Sequence, residues 1–257
     1  MSLPATGRLR LTALACLGLL LGGCATMGDP SPADPLEPMN RASFKFNDAL
    51  DRAALKPVAR VYHDYTPWWF QSGVGHFFEN LGNPGTAINQ VLQGKFLAAG
   101  QDTLRFVINT TLGWGGVLDV ASGAQLPEHD EDLGQTLGKW GVPAGPFLMV
   151  PVVGPSTLRD LPSRVADRLL QPLFWFNVGN AKWASLALDL VDTRARYLVL
   201  DPTLDRVYDR YVFIRDAYLQ RRQFAVYDGN PPEEAVDQEL KDELEEAAQE
   251  APPGASH

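Results

Sequence analysis

The chain has 257 residues, 22 basic against 31 acidic for a formal net charge of −9, 45% hydrophobic residues, 23 Gly, 20 Pro and 2 Cys. That length allows one large domain or two small ones with a real core. The negative charge argues against a nucleic-acid binder, which needs a basic footprint, and two cysteines make neither a disulfide framework nor a four-ligand zinc site.

Residues 1–23 read as an export signal. Arg8 and Arg10 form the positive region, and the apolar stretch from Leu11 to Leu21 is too short to span a bilayer as a helix. The stretch ends in Leu21-Gly22-Gly23-Cys24, which resembles a bacterial lipobox with Cys24 as the acylated residue; ordinary cleavage after small residues is the competing reading. Cys16 lies in the leader, so acylation of Cys24 would leave no free thiol and no cysteine chemistry. Several acyl chains, at about 0.8 kcal/mol per buried CH₂, make an effectively permanent anchor. Ala25 rather than Asp after the cysteine favours the outer membrane, by resemblance to sorted lipoproteins. Residues 24–33 form a polar, Pro-containing tether.

From 34 to 227 the chain reads as one mainly α-helical domain. Asp34-Pro35, Thr66-Pro67, Asn83-Pro84 and Asp201-Pro202 each set a capping residue before a proline, predicting four helix starts. Apolar stripes at helical spacing follow: Val74, Phe77, Phe78 and Leu81; Ala87, Ile88, Val91 and Leu92; Leu104, Val107 and Ile108; and Leu204, Val207, Tyr208 and Tyr211. Between 113 and 156 the density of Gly and Pro predicts short helical pieces, turns and an extended segment. The apolar run from Gly145 to Gly154 within it is either a buried strand-like loop or a greasy hairpin lining a lipid path. Six tryptophans, Trp68, Trp69, Trp114, Trp140, Trp175 and Trp183, sit near helix ends and loops, which suits either a large aromatic core or a bilayer interface. Residues 228–257 hold ten acidic residues and one basic, a local charge of −9 that leaves the mature body at −2. This tail reads as solvated and disordered, with a weak amphipathic helix through Val236, Leu240 and Leu244 as the alternative.

No motif points to catalysis, a metal or a cofactor. The chain has no G-x-S-x-G elbow, H-E-x-x-H, Walker loop or G-x-G-x-x-G. His63, His76, His129 and His257 are scattered, and Ser156 or Ser163 would need His63 or His76 alongside to act as hydrolase nucleophiles. Glu128-His129-Asp130-Glu131-Asp132 reads as an acidic solvated loop, with cation binding as the alternative.

Asp34-Pro35-Leu36-Glu37-Pro38-Met39-Asn40-Arg41, then Phe44-Lys45-Phe46-Asn47, strongly resembles the MlaA (VacJ) lipoprotein family. Further landmarks follow in order, among them Leu92-Gln93-Gly94, Asn109-Thr110-Thr111-Leu112-Gly113, Gly134-Gln135-Thr136-Leu137-Gly138, Thr157-Leu158-Arg159-Asp160 and Arg215-Asp216-Ala217-Tyr218. The resemblance implies a single ring-shaped multi-helix domain lying in the periplasmic leaflet of the outer membrane, with a Gly/Pro-rich hairpin. It implies a lipoprotein that removes mislocalised phospholipids from the outer leaflet through a polar-lined channel, associates with trimeric porins and hands lipid to a soluble periplasmic, MlaC-like carrier. The family hairpin reads here Gly141-Val142-Pro143-Ala144-Gly145, with a stiffening Pro and Ala. On that reading Phe147, Leu148, Met149 and Val150 form an apolar lip that Gly141 and Gly145 allow to move, and Trp68, Trp69, Trp114, Trp140 and Trp175 sit at the membrane interface. The alternative is a lipoprotein scaffold that binds porins and passes no lipid.

Overall fold

The computed structural model describes residues 34–175 and 179–232. The predicted leader, the lipidation site Cys24, the tether and nearly all of the acidic tail lie outside the described residues.

Helix α1 (Glu37–Leu50) passes through one π-helical turn (Asp51–Leu55) into α2 (Lys56–Tyr65). α3 (Trp68–Leu92) starts after the Thr66-Pro67 signal and continues through Asn83-Pro84, where the sequence predicted another start. Pro84 withholds a donor from the Asn80 carbonyl. Side chains on either side of it make further bonds: Asn80 Nδ2 donates to Thr110 Oγ1 of the next helix at 2.9 Å, and Asn89 Nδ2 to the Gly85 carbonyl at 3.0 Å. Gly94, at φ +79°, then reverses the chain, with the Lys95 N–H donating to the Gln90 carbonyl at 2.8 Å. α4 (Phe96–Thr111) packs back along α3.

Short pieces follow, as the glycine density predicted: α5 (Val120–Gly123), α6 (Leu133–Lys139) and an antiparallel hairpin of β1 (Phe147–Val150) and β2 (Gly154–Thr157), with Phe147 opposite Thr157 and Val150 opposite Gly154. The rest is α7 (Asp160–Leu170), α8 (Pro172–Trp175), α9 (Ala181–Arg196), a 3₁₀ turn (Tyr197–Leu200), α10 (Asp201–Leu204) and α11 (Arg210–Val226). The stripe Leu204, Val207, Tyr208, Tyr211 is not one helix. Asp209 accepts from the Tyr211 and Val212 N–H groups at 2.9 and 3.2 Å, capping a new helix and leaving Tyr208 fully exposed.

The distribution of side chains is inverted relative to a water-soluble bundle. α4 buries Ala99, Asp102, Arg105 and Asn109, while the predicted stripe residues Leu104 and Val107 face outward. On α2, Val58, Val61 and Tyr65 are exposed and Ala59 is buried. The apolar core is small: Phe147, Met149, Tyr211 and Tyr218, flanked by Phe44, Val212, Ile214 and Leu219. Among the described residues no helix is long and apolar enough to cross a membrane.

Polar side chains therefore hold the interior. Asn40 Nδ2 donates to the Phe147 carbonyl at 3.0 Å, and its Oδ1 accepts from the Met149 N–H at 2.8 Å. Asn47, two turns along α1, does the same for the Val150 carbonyl and the Val152 N–H, at 3.0 and 2.7 Å. Two amides thus complete the free edge of β1 as a third strand would. The buried Tyr211 hydroxyl donates to Asp34, joining the first described residue to the last long helix.

Arg222 of α11 bridges Asp132, the N-cap of α6, at 2.5 and 2.9 Å and Asp160, at the start of α7, at 3.0 and 3.1 Å. Tyr218 adds its hydroxyl to Asp160 at 3.0 Å. Burial alone would raise the Asp160 carboxyl; the bonds and charge of Arg222 and Arg159 outweigh it and hold it at about 2, against an ordinary 3.8. Asp132 is lowered in the same way. A depressed carboxyl stabilises the fold above its unfolded value and loses that contribution as pH falls. For Asp160 the loss runs from about pH 4 to about pH 2 and is worth about 2 kcal/mol. In thermal melts in detergent the midpoint should hold above pH 4 and drop below it. Arg222→Met, which leaves Asp132 without a cation and Asp160 with Arg159 and Tyr218 alone, should lose about 3 kcal/mol at neutral pH. That deficit should shrink towards pH 3 as the aspartates protonate, and an equal deficit at both pH values would sink the assignment.

Candidate functional site: a polar recess inside an apolar shell

A shallow recess, with enclosed room for about one water-sized group, opens between α3, α4 and the following loops, lined by His76, Glu79, Asn80, Asn83, Arg105, Asn109, Asp119 and Glu128. Its geometry follows from helical spacing. Residues 76, 79, 80 and 83 share one face of α3, and 102, 105 and 109 share one face of α4.

Arg105 is fixed from three sides: Nη1 donates to Ser122 Oγ at 3.1 Å and the Leu126 carbonyl at 2.7 Å, and Nη2 meets Asp119 at 3.2 and 3.3 Å. Asn109 joins the pair, donating to Asp119 at 2.9 Å and accepting from the Ala121 N–H at 2.9 Å. Burial pushes Asp119 up, but bonds from Ser122 and Asn109 and the charge of Arg105 bring it down to about 2. Glu128 moves the other way. Burial and the carboxylates of Glu79, Asp119 and Asp102 raise it, against the opposing charge of Arg105, whose Nη2 is 3.5 Å away.

The wall needs its glycines. A Cβ on Gly116 (φ +100°) would stand 2.6 Å from Asn80, and one on Gly113 would stand 2.2 Å from the Leu118 carbonyl and 2.5 Å from that of Asn109. Beyond the recess the polar seam continues: Gln90 Nε2 donates to the fully buried Asp102 at 2.7 Å, and His129 Nδ1 reaches the same carboxylate oxygen at 2.8 Å.

The acidic loop predicted as solvated keeps Glu128 and Asp130 exposed but is tied to the body by ion pairs. Glu131 pairs with Lys95 at 2.6 Å, Asp132 with Arg222, His129 with Asp102 and Glu128 with Arg105. Among the described residues no three such groups converge as a metal site. Asp228, first residue of the predicted tail, pairs with Lys95 and Lys139 on the body. Tyr62, on α2, donates to Asp192 on α9 at 2.8 Å, and Arg196 reaches Glu79 at 2.9 Å, so α9 closes against both α2 and α3.

The sequence-derived site residues fall in three places. All six tryptophans are exposed, Trp68, Trp69, Trp114, Trp140, Trp175 and Trp183 lying between 58% and 83% accessible, so they form no aromatic core. Trp140 and Trp175 still place their ring N–H on the Leu92 and Leu169 carbonyls. Strand alternation divides the proposed lip. Phe147 and Met149 are 2% and 3% exposed and pack in the core, with Phe147 edge-on to Tyr211 and Tyr218, whereas Leu148 and Val150 on the opposite face are half-exposed. Gly141 and Gly145 flank the approach to β1 at φ +89° and +70°, in the left-handed region that glycine adopts freely. The recess residues were not singled out from sequence. Their signal was present as the polar complement of the apolar stripes, at 76, 79, 80 and 83 and at 102, 105 and 109.

A helical body with charges and amides inside and apolar side chains outside belongs to proteins whose solvent is not water alone. The comparisons give the family. The MlaA lipoprotein family model matches residues 32–225. The intermembrane phospholipid transport system lipoprotein MlaA of Shigella flexneri is 37% identical over 249 residues, covering 91% of this chain and 98% of that protein. Its Escherichia coli K12 counterpart is 36% identical with the same coverage. A solved structure described as the structural basis for maintenance of bacterial outer membrane lipid asymmetry aligns with a TM-score of 0.67 at 37% identity, over 75% of this chain and 98% of that one. The chain belongs to the MlaA lipoprotein family.

Glycine substitutions test the wall. Gly113→Ala drives a methyl into two backbone carbonyls that have no room to yield and should cost about 3 kcal/mol or more, enough to abolish a cooperative melt. Gly115→Ala faces open space and should lose only about 1 kcal/mol for its φ of +75°. Similar denaturation midpoints for the two would contradict the packing described.

Proposed function

We propose that this protein is an outer-membrane lipoprotein, anchored through Cys24, that takes mislocalised phospholipid from the outer leaflet along a polar-lined path and passes it to a soluble periplasmic carrier. The observation that carries the reading is the inversion: buried Asp, Asn, Gln and Arg inside and exposed Trp, Phe, Leu and Val outside. Its relatives are named as lipoproteins of an intermembrane phospholipid transport system, which supports a transport role over catalysis.

The physics of the cargo asks for this arrangement. Two tails of about 16 carbons cost on the order of 25 kcal/mol to expose to water, at about 0.8 kcal/mol per CH₂. Moving the charged head through hydrocarbon is also costly. A passive route must keep the tails in apolar surroundings while the head follows polar groups. A helical ring set in the periplasmic leaflet supplies both. The bonds that join the start of the described chain to its last long helix, Asp34 to Tyr211 and Arg41 to Asp209 at 2.8 Å, support such a closed arrangement. The exposed tryptophans then lie in the headgroup zone, and the half-exposed face of β1, Leu148 and Val150, forms the lip that Gly141 and Gly145 let move. The exposed apolar belt also suits lateral association with trimeric porins.

Photo-crosslinking residues at Leu148 and Val150 should capture phospholipid in membranes, while those at Phe147 and Met149 capture only protein; lipid at all four positions or at none would refute this lip. Brominated lipids should quench most of the tryptophan emission of the reconstituted protein, and unquenched emission would remove the interface assignment. Deleting the gene should raise outer-leaflet phospholipid, measured by accessibility to an added phospholipase. An unchanged level would favour a scaffold that moves no lipid.

A further inference from the structure

The enclosed part of the recess between α3 and α4 has room for about one water-sized group, so it suits the tip of a headgroup, an ammonium, rather than a whole lipid. Its charge is unbalanced. Glu79, Asp119 and Glu128 line it against the single cation Arg105, which Asp119 already engages. Its wall is also unsatisfied: Asn80 and Arg105 are 2% and 3% exposed, and Asn80 Oδ1 and Arg105 Nε have no hydrogen-bond partner. With Asn80 Nδ2 committed to Thr110 Oγ1, the free atom on Asn80 is an acceptor. A buried acceptor without a donor is costly and marks a place where a donor is expected. At the mouth, Glu79 and Arg196 are both half-exposed and pair at 2.9 Å, a contact worth little in water and easily exchanged for another zwitterion.

Resting on the lipid-transport reading, we propose that this recess selects phospholipids with a primary-ammonium zwitterionic headgroup, of the phosphatidylethanolamine type. The ammonium donates to Asn80 Oδ1 and to the carboxylates of Glu128 and Glu79, and the phosphate rests against Arg196. The chemistry discriminates against two neighbours. A phosphatidylglycerol head brings net negative charge to a site already rich in carboxylates, and a trimethylammonium head has no N–H for Asn80. Burial first, and then the carboxylates of Glu79, Asp119 and Asp102, hold Glu128 above its ordinary range, and a bound cation would offset that crowding of negative charge.

The test uses the full-length lipidated protein reconstituted in vesicles of equal phosphatidylethanolamine and phosphatidylglycerol, followed by solubilisation and mass spectrometry of the lipids that remain bound. The bound ratio should favour phosphatidylethanolamine by about five-fold, as expected for charge-assisted hydrogen bonds. It should return to the vesicle ratio in the Glu79→Gln/Glu128→Gln double variant. Replacing phosphatidylethanolamine by phosphatidylcholine should abolish the enrichment. A bound ratio equal to the bulk in the wild-type protein, or one unchanged in the double variant, overturns the headgroup assignment and leaves lipid transport standing; no bound phospholipid at all overturns both. Glycerophosphoethanolamine, which has the head without tails, separates a lipid from a soluble source. Its binding without any enrichment of the lipid would reassign the site to a soluble ligand and overturn the proposal.

Discussion

The fold depends on one constraint: charges turned inward have to be held, by an opposite charge as at Arg222 or by hydrogen bonds as at Asp34. Arg222 shows how strictly it is kept, since its guanidinium spans two aspartates from two other helices. The approach is possible because Gly134 has no side chain; a Cβ there would stand 2.5 Å from both Arg222 Nη2 and Asp160 Oδ1. A guanidinium suits this task because its planar fork serves two carboxylates at fixed angles, where a lysine would offer a point charge. The buried ion pairs add little net stability against an apolar replacement, but breaking one leaves a stranded charge. They act as locks on geometry more than as glue.

The same constraint explains residues that a hydrophobic-core description would pass over. Asn40 and Asn47 are seven apart on α1 and lie along the edge of β1, each giving and receiving one backbone hydrogen bond. No apolar side chain could replace Asn40 without leaving buried strand groups unpaired. Lys56 and Arg194 converge on Asp201, tying the α1–α2 segment to α9 and α10. Directional contacts of this kind specify one arrangement, where greasy packing alone tolerates many.

The helical class, the irregular 113–156 stretch and several helix ends were legible in the sequence because periodicity and Gly or Pro punctuation are local signals. What failed was whatever tertiary contacts decide. Asn83-Pro84 carries a cap-like signature, yet one helix, packed along the next, runs straight through it. The acidic loop 128–132 looks solvated until Arg105, Lys95 and Arg222, distant in sequence, come to meet it. Phe147 to Val150 reads as one apolar block, but strand pairing sends alternate residues to opposite faces. Three of the four apolar stripes fall on helices, but a stripe does not mark a buried face here: Ile88, Val91, Leu104 and Val107 point outward while Val74 and Ala87 are buried. The stripes did not reveal the candidate recess, since most of its residues are the polar remainder of the same helices.

The exposed apolar belt has a consequence for how such a molecule is made. Burial of grease drives most chains to fold in water before they reach their destination, but here folding leaves Trp68, Trp114, Phe96 and Leu97 on the outside. Two copies meeting in an aqueous compartment would stick through those belts as readily as each would fold. In any aqueous stage these side chains remain open to a partner or a hydrophobic host that would cover them. The architecture that frees the interior for polar groups makes the newly made chain dependent on company.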